Sequence, residues 1–499
     1  MMEDWVECQL GDLCDFVGGG TPSKKEKAYW NGSIPWASIK DIKGVELVST
    51  IDTITQKGLE NSSANIAEKG EIILATRIAP GKAVISRIRT SINQDLKIVK
   101  PRIKIDTQFL ALAFRELGPK ILKLSSGTTV LGINLNNLRS IPIIVPPLPI
   151  QRAIVARIEA LFSRLDQGIA DLQRAQAQLK VYRQAVLKKA FEGELTREWR
   201  EQQTDLPSAE ELLAQIEEER QRYYEQQLEE WKQAVEDWEM EGKVGKKPRK
   251  PSKPNLSTIK DSKSELPCNW INGQLEFIAE AIDPQPSHRT PPKEKEGIPY
   301  VSIKDIDKVS GKINFESARK VSQKVLVEHI QRYSLDEGDF VIGKIGTIGK
   351  PFFIPSERFF ALSANVVLIK PIPDLANPRY LFYLNQSSLI ELQFKKGARA
   401  TTQSAFGIKK VRLLNIPICS VKEQFQIVKE IEARLSICDQ VEASIQDSLA
   451  KAEALRQSIL KKAFAGELLS AGEIAACKKE ADYEPAAVLL ERIRGATRT

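Results

Sequence analysis

The spacing of apolar residues changes abruptly twice along the chain, at residues 146–151 (PPLPIQ) and at residues 420–424 (SVKEQ). Before each change, short runs of β-favouring residues are separated by Gly, Pro, Ser and Asn, which predicts many short strands. A short helix is predicted within each of these regions, at residues 107–117 and 378–394. The pattern therefore predicts two regions of mixed α/β structure.

After each change, apolar residues recur at steps of mostly three and four, which predicts a long helix with one narrow apolar stripe. Each helix is about 40 residues, or roughly 60 Å, long at 1.5 Å per residue. Such a stripe favours a parallel or antiparallel pair of the two helices, and the alternative is that each stripe packs on its own domain. The stripe residues are Ile154, Ile158, Leu161, Leu165, Ile169, Leu172, Leu179 and Val186, and then Ile427, Ile431, Leu435, Cys438, Val441, Ile445, Leu449, Leu455 and Ile459.

Most of the first half of the chain returns, in the same order, in the second half. This order and the nearly constant offset between matching segments indicate one duplicated unit, and hence two tandem domains rather than a solenoid of short repeats. The matching segments are 4–13 and 269–278, 34–42 and 298–306, 69–82 and 337–350, 92–101 and 362–371, 154–166 and 427–439, 187–195 and 460–468, and 206–216 and 484–493.

The segment between the two copies has a pattern of its own. Ser208 and Glu211 form a capping-box pattern that predicts the start of a charged helix. A seam at heptad spacing follows, and then the linker at residues 243–254 (KVGKKPRKPSKP), which predicts a solvated tether or, alternatively, a contact with phosphate. The seam residues are Tyr224, Leu228, Trp231, Val235 and Trp238.

Composition narrows the class of protein. The 499 residues are 42% apolar and carry a formal charge of +8, which permits a polyanionic partner without requiring one. The six cysteines contain no C-x-x-C pair, which favours a reducing compartment and argues against a structural zinc site. Since no signal peptide or membrane-spanning run is visible, we expect a soluble, cytoplasmic protein without a membrane partner.

No catalytic constellation is visible in the sequence. The only histidines are His288 and His329, which argues against histidine triads and H-E-x-x-H metal sites. Residues 343–351 lack the spacing of a phosphate-binding loop. Residues 16–20 (FVGGG) and 377–380 (NPRY) are similar to methyltransferase motifs, so a stand-alone adenine-specific DNA methyltransferase is the alternative function.

Three long motifs carry a family resemblance. Residues 17–42, 125–159 and 187–195 resemble the specificity (S) subunit of type I restriction–modification systems. The resemblance implies an α+β protein with two target-recognition domains, separated by two long conserved helices that form an antiparallel coiled coil. The expected division is 1–150 for target-recognition domain 1, 151–195 for coiled-coil helix 1, 196–262 for the charged insert and basic linker, 263–422 for target-recognition domain 2, 423–469 for coiled-coil helix 2, and 470–499 for the C-terminal tail.

The resemblance also implies a function. Each recognition domain would read one half of a bipartite double-stranded DNA site, and the chain itself would be non-catalytic, with no cofactor and no metal. Its implied partners are the methyltransferase subunits, two in number, and the restriction/translocase subunits. A structural coiled-coil adaptor without DNA contact is a further hypothesis.

Candidate DNA-binding residues are basic or amide side chains in polar loops, because phosphate contacts supply affinity and contacts with base edges supply specificity. Arg399 is the leading candidate for a base contact, since a guanidinium can grip a guanine edge. Lys40 and Lys304 lie in the repeated Ser-Ile-Lys-Asp tract and are either phosphate contacts or structural residues. We expect Trp36 and Tyr300 to be core residues. The candidates are Lys40, Arg77, Lys82, Thr128, Thr129, Lys304, Lys344, Lys350, Arg399, Thr401, Thr402 and Gln403.

Overall fold

The computed structural model of the chain describes residues 5–127, 130–243, 247–253, 266–287, 289–307, 311–344, 349–355, 359–399 and 406–498. Spatial contacts divide the chain into two compact units. Unit 1 combines Met1–Arg174 with Ile445–Thr499, and unit 2 is Ala175–Ser444. Each unit therefore contains one α/β domain and parts of both long helical segments.

The first α/β domain begins at the N-terminal end of the described chain. Its strands are β1 (Val6–Gln9), β2 (Cys14–Gly18), β3 (Trp30–Ala37), β4 (Glu46–Leu47), β5 (Asp52–Ile54), β6 (Asn65–Ala67), β7 (Ile72–Ala75), β8 (Ala83–Ser86), β9 (Thr90–Ile92), β10 (Leu96–Pro101) and β11 (Pro142–Val145). Its helices are α1 (Leu10–Leu13), α2 (Gln56–Glu60), α3 (Thr107–Lys123) and α4 (Leu135–Arg139).

The strands of this domain form three sheets. A five-stranded sheet has the order β2-β10-β7-β8-β4, a four-stranded sheet has the order β5-β3-β9-β6, and β1 pairs with β11. Successive side chains of β7 point to opposite faces, so Ile72 and Leu74 pack in the core that contains α3, and Ile73 and Ala75 pack in a second core. Because both faces are covered, this strand is apolar at every position.

Three helices follow the first domain: α5 (Leu148–Phe191), α6 (Arg197–Glu201) and α7 (Ala209–Met240). The predicted capping box at the start of α7 is confirmed. The backbone N–H of Ser208 donates to the Glu211 carboxylate over 2.8 Å, and the N–H of Glu211 donates to Ser208 Oγ over 3.2 Å. Leu212 and Ile216 anchor this end of α7 in the core of the second α/β domain.

The second α/β domain has strands β12 (Ile271–Gln274), β13 (Ala279–Ile282), β14 (Ile298–Val301), β15 (Arg319–Val321), β16 (Phe340–Gly343), β17 (Pro351–Phe353), β18 (Ala361–Leu362), β19 (Val366–Pro371) and β20 (Asn415–Ile418). Its helices are α8 (Gln323–Ile330), α9 (Pro378–Asn385), α10 (Ser388–Arg399) and α11 (Ile408–Arg412). The single helix predicted over 378–394 is therefore wrong, because the chain breaks between α9 and α10.

The sheets of the second domain repeat those of the first. The order β13-β19-β16-β17 corresponds to β2-β10-β7-β8, the order β15-β14-β18 corresponds to β5-β3-β9, and the pair β12-β20 corresponds to β1-β11. Among the described residues, β4 and β6 have no counterpart in the second domain. The duplication seen in the sequence is therefore also a duplication of tertiary structure.

The chain ends in three further helices, α12 (Val421–Phe464), α13 (Ala471–Cys477) and α14 (Ala486–Arg498). Helices α5 and α12 each contain 44 residues, about 66 Å at 1.5 Å per residue. They begin and end a few residues earlier than the segments expected for the two coiled-coil helices. In unit 1, Leu489 and Ile493 of α14 pack in the core of the first domain.

The two long helices pack antiparallel. In unit 1, Ile154 and Ile158 from the start of α5 share a core with Ile459 and Ala463 from the end of α12. In unit 2, the opposite ends meet. There Val186 and Phe191 of α5 pack with Ile427 and Ile431 of α12, and Arg183 donates to Asp439 over 2.6 Å. The predicted antiparallel pair is confirmed.

The predicted stripe of α12 needs two corrections. Val441 and Leu455 are exposed, at 41% and 50%, whereas Ala452 is buried. Five of the buried positions follow a strict seven-residue repeat, and a helix that keeps this repeat holds one seam toward its partner. Leu455 lies outside that repeat, so its apolar side chain faces solvent. The repeat consists of Ile431, Cys438, Ile445, Ala452 and Ile459.

Part of the basic linker lies against α7 instead of forming a free tether. The indole N–H of Trp231 donates to the Pro248 carbonyl over 3.0 Å. The ammonium of Lys250 lies 5.6 Å from the centre of the Trp231 ring, within the range of a cation–π contact. The half-buried Trp231, which the heptad spacing singled out, therefore holds Pro248 and Lys250 against the helix.

The buried His329 gives the second domain a pH-dependent stability. Its ring nitrogens lie 2.8 Å from Tyr333 Oη and 3.0 Å from Gln285 Oε1. Burial, aided by Arg332, lowers the pKa of His329 to about 4. Because the unfolded chain binds this proton more tightly, stability falls as the pH drops from about 6.5 to about 4, by about 3 kcal/mol in total. Urea denaturation at pH 7 and pH 5 should show about 2 kcal/mol of this loss, and His329→Gln should reduce the difference. An unchanged difference in the variant would contradict the assignment.

Candidate nucleic-acid interface

A tight hairpin in the first domain carries two of the predicted DNA-binding residues. It joins β7 to β8 at residues 76–82, and its turn is closed by a bond from Gly81 N–H to the Ala75 carbonyl over 2.9 Å. Gly81 has φ +89°, and a Cβ there would lie 2.9 Å from Gly118 Cα. Arg77 is half exposed and pairs with Asp95 over 3.3 Å, and Lys82 is exposed.

A polar loop that follows α3 is bound to this hairpin by its backbone. Ile78 N–H donates to the Leu131 carbonyl over 2.8 Å, and Ile133 N–H donates to the Thr76 carbonyl over 2.9 Å. This loop is the serine- and threonine-rich segment that the sequence singled out, and its candidates Thr128 and Thr129 lie outside the described residues. The hairpin and the loop therefore form one exposed surface.

The second domain repeats the same backbone arrangement. Lys344 N–H donates to the Asn365 carbonyl over 2.8 Å, as Thr76 N–H donates to the Asp95 carbonyl over 2.9 Å. Gly349, with φ +78°, closes the turn as Gly81 does. Finally, Phe406 N–H donates to the Lys344 carbonyl over 3.1 Å, in the place of the bond between Ile133 and Thr76. The two copies thus share this set of backbone hydrogen bonds, which is called the shared frame below. The amino-acid sequence around the shared frame differs between the copies.

The structure removes Lys344 from the exposed surface. Its side chain is only 6% exposed, and Nζ lies 2.7 Å from Asp283 Oδ2. Moving a paired, buried ammonium to a phosphate would leave the carboxylate buried and alone, which is unfavourable. Lys344 is therefore held inside the second domain by its ion pair with Asp283. The neighbouring Lys350 is exposed.

The repeated Ser-Ile-Lys-Asp tract forms the same capped turn in both domains. The N–H of Ser38 donates to Asp41 Oδ2 over 2.8 Å, and the N–H of Ser302 donates to Asp305 Oδ2 over 2.9 Å. The serine and aspartate of each tract are therefore structural. Lys40 and Lys304 occupy the same position in the two turns, and both are exposed.

The remaining DNA-binding candidates of the second domain lie at or beyond residue 399, where the described part of the chain is interrupted. Arg399 is the last residue of α10, and its side chain lies outside the described part of the chain. Thr401, Thr402 and Gln403 also lie outside the described residues. The described chain resumes at Phe406, whose N–H donates to the Lys344 carbonyl.

Sequence reasoning missed Gln94, an exposed residue on the turn between β9 and β10. Thr21 Oγ1 donates to Gln94 Oε1, which ties this turn to the glycine-rich loop of residues 18–22. The next residue along the chain, Asp95, is the partner of Arg77. A signal was available, because the matching position in the second copy is Ala364. An exposed side-chain amide at a position where the two copies have different residues is a candidate for a base contact.

Two motifs similar to those of methyltransferases have structural roles. Asn377 caps α9 by accepting the N–H of Arg379 over 2.9 Å. Tyr380 is fully buried, and its hydroxyl donates to the Pro417 carbonyl over 2.9 Å. The expected core positions of Trp36 and Tyr300 are confirmed, and the Trp36 indole donates to the Gly20 carbonyl in the glycine-rich loop. These residues are thus engaged in holding the fold.

Within the described residues, no group of histidine, cysteine and acidic side chains is arranged to hold a metal ion. No described helix is both long enough and apolar enough to cross a membrane.

Comparison with known families decides the identity of the two domains. The model of the type I restriction modification DNA specificity domain matches residues 2–173 and 270–451. The chain belongs to this family. Each match covers one copy of the duplicated unit and continues into the long helix that follows it. The specificity-domain family thus accounts for the larger part of the chain.

Two related proteins are specificity subunits of type I restriction enzymes. The EcoKI specificity subunit of Escherichia coli K12 is 22% identical over 508 residues, covering 99% of this chain and 95% of that relative. The EcoBI specificity subunit of Escherichia coli is 24% identical over 371 residues, covering 74% of this chain and 67% of that relative. The prediction of a type I specificity subunit is confirmed, and the alternative of a stand-alone adenine methyltransferase is not favoured.

Solved structures support the fold. One similar chain comes from a structure that describes the complex assembly and conformational transition of the type I R-M system. Its TM-score is 0.59 at 17% identity, and the match covers 93% of this chain and 98% of the similar chain. The HsdS subunit of Thermoanaerobacter tengcongensis has a TM-score of 0.50 at 17% identity, and the match covers 94% of this chain and 100% of that subunit. The predicted α+β architecture with two domains and paired long helices is confirmed.

Proposed function

We propose that this specificity-domain protein reads a bipartite DNA site as part of a type I restriction–modification complex, each α/β domain reading one half-site. The observation that carries the proposal is the backbone frame that Thr76 and Gly81 form in the first copy and Lys344 and Gly349 form in the second, around which the two sequences differ. A shared frame would set the same approach to the duplex in both domains. Different side chains on it would then read different base edges.

Within this proposal, the exposed lysines common to both copies contact phosphate. Lys82 and Lys350 match in the duplication, as do Lys40 and Lys304. A contact made by both domains cannot distinguish two different half-sites, but it can fix the register of each domain on the duplex. Arg77 and Gln94 differ between the copies, and we assign them to base contacts in the first half-site. Arg399 remains the proposed base contact of the second copy, and Thr401, Thr402 and Gln403, with Thr128 and Thr129 in the first copy, remain proposed DNA contacts.

The long helices serve assembly in this proposal. Large apolar side chains remain exposed along both of them, including Val181 at 71%, Phe425 at 60% and Ile437 at 61%. Burial of these side chains in an interface with another protein would be favourable. We propose that two methyltransferase subunits dock here, that restriction/translocase subunits join the complex, and that this chain contributes no catalytic residue.

The proposal predicts a methylation pattern with two separated halves. Co-expression of this chain with its methyltransferase partner in a host without adenine methylation should produce methylated adenines in one split motif, mapped by long-read sequencing. Replacing residues 6–145 by the corresponding domain of another specificity subunit should change one half of the motif and leave the other unchanged. The pairing of β1 with β11 brings the ends of this domain together, which makes such an exchange feasible.

Two outcomes would count against the proposal. Methyl transfer by the purified chain alone would show that it is an enzyme. An unchanged motif after the domain exchange would favour a structural adaptor. Loss of all methylation in the exchange variant would be checked by pull-down of the methyltransferase, which separates failed assembly from failed recognition.

A further inference from the structure

The start of α12 buries a carboxylate that is completely satisfied by its neighbours. Glu423 has no exposed surface. Its Oε1 accepts from Thr196 Oγ1 and from Arg200 Nε, both over 2.8 Å. Its Oε2 accepts from Trp270 Nε1 over 2.9 Å and from Asn269 Nδ2 over 3.3 Å. These five residues are called the Glu423 cluster below.

The Glu423 cluster joins parts of the chain that are far apart in sequence. Thr196 and Arg200 belong to the segment that follows α5, whereas Asn269 and Trp270 lead into the second domain. The Arg200 guanidinium lies 5.5 Å from the centre of the Trp270 ring, and Nη2 donates to the Gly193 carbonyl over 2.6 Å. The segment after α5 is therefore docked on the second domain through a buried charge.

The equivalent junction in unit 1 is apolar. The duplication places Ile150 at the position of Glu423 and Leu469 at the position of Thr196, and both are buried. Trp5 takes the place of Trp270, and its indole N–H is buried without a hydrogen-bond partner among the described residues. Glu473, which matches Arg200, is exposed and bound to Ser470 at the start of α13. One junction is thus charged, and its counterpart is packed by hydrocarbon.

This difference matters because the docking segments are otherwise nearly interchangeable. They share the sequence LKKAFEGEL or LKKAFAGEL at residues 187–195 and 460–468. If the segment after α5 docked on the first domain of a second copy, Arg200 would be buried against Ile150 without its carboxylate. If the segment after α12 docked on the second domain, Glu423 would face Leu469 and lose two donors. A buried charge without its partner is strongly disfavoured.

We propose that the Glu423 cluster is a pairing code: it directs the segment after α5 to the second domain, and it disfavours docking of that segment on the first domain of another copy. The code therefore favours the pairing of two unlike halves of the chain over the pairing of two like halves. It rests on the duplicated architecture alone, and it stands whether or not the domains read DNA as proposed above.

Three full-length variants test the code. The first makes both junctions apolar, with Thr196→Leu, Arg200→Leu and Glu423→Ile. The second makes both charged, with Ile150→Glu, Leu469→Thr and Glu473→Arg. The third combines all six changes and so moves the cluster to the other junction. Each is co-expressed as two differently tagged copies, and co-purification of the tags with light scattering measures exchange between copies.

The first two variants should exchange, giving on the order of tenfold more co-purified partner than the natural chain, because both segments then fit both junctions. The third should behave like the natural chain, since its junctions differ again. Folded symmetric variants that stay separate would overturn the proposal, and so would exchange by the third variant equal to that of the first two. If the first variant precipitates, exchange between copies of the second variant tests the proposal by itself, because the second variant leaves the Glu423 cluster unchanged.

Discussion

Replacing Glu423 by alanine is expected to destabilise unit 2 by about 3–5 kcal/mol, because it leaves the Arg200 guanidinium largely buried without its carboxylate. The change also removes the acceptor of the Thr196 hydroxyl and of the Trp270 indole, both of which are buried. Each buried donor that loses its partner adds to the cost of the substitution. Urea denaturation followed by tryptophan fluorescence would measure the loss, since Trp270 lies in the cluster itself.

The neighbouring Lys422 provides the matched control. It pairs with Asp205 over 2.8 Å, but the two side chains are 50% and 65% exposed. Solvent screens such a pair, so Lys422→Ala should cost no more than about 1 kcal/mol. Equal shifts of the denaturation midpoint for Lys422→Ala and Glu423→Ala would show that the cluster contributes no more than a surface ion pair.

Replacing Arg77 by alanine is expected to weaken binding to the specific duplex by roughly 10- to 100-fold and to relax the first half-site at one position. The reason is that a guanidinium that reads a base edge discriminates by about 1–3 kcal/mol, and Arg77 is half exposed beside Asp95 on the shared frame. Lys82→Ala should instead weaken binding to all duplexes alike. It should also reduce the slope of log K against log salt by about 0.9, as expected for one phosphate contact.

These effects are measured by fluorescence anisotropy on the assembled complex at several salt concentrations, with methylation mapping to report the half-site. Arg89→Ala is the control of the same residue type, because Arg89 pairs with Glu68 just beyond β8, at the opposite end of that strand from Lys82. A uniform loss of affinity in Arg77→Ala, with an unchanged motif, would reassign Arg77 to a phosphate. Equal losses in Arg89→Ala would point to general electrostatics.

Much of the architecture was predictable because it depends on local periodicity and on comparison of the chain with itself. The seven-residue spacing of Ile431, Cys438 and Ile445 indicates a helix with one seam whatever surrounds it. The capping box at Ser208 depends only on residues three positions apart. The duplicated motifs showed that two similar domains exist before any contact was known.

The candidate site was harder to predict, because side-chain exposure is set by residues far away in sequence. Nothing near Lys344 in the sequence indicates that Asp283 lies beside its ammonium. Gln94 lies on a short turn whose exposure depends on the packing of β9 and β10. The role of Trp231 as a support for the linker depends on how residues 247–253 fold back on α7.

The sequence by itself determined the duplication, the two long helices and the family, since these follow from local periodicity and from motifs that recur along the chain. Only the tertiary structure decided that Ala452 and not Leu455 lies in the seam, and that Glu423 is buried among four donor side chains. Thr196, Trp270 and Glu423 are spread over more than two hundred residues of chain. Their meeting, and the free energy that it contributes, exists only once the domain has folded.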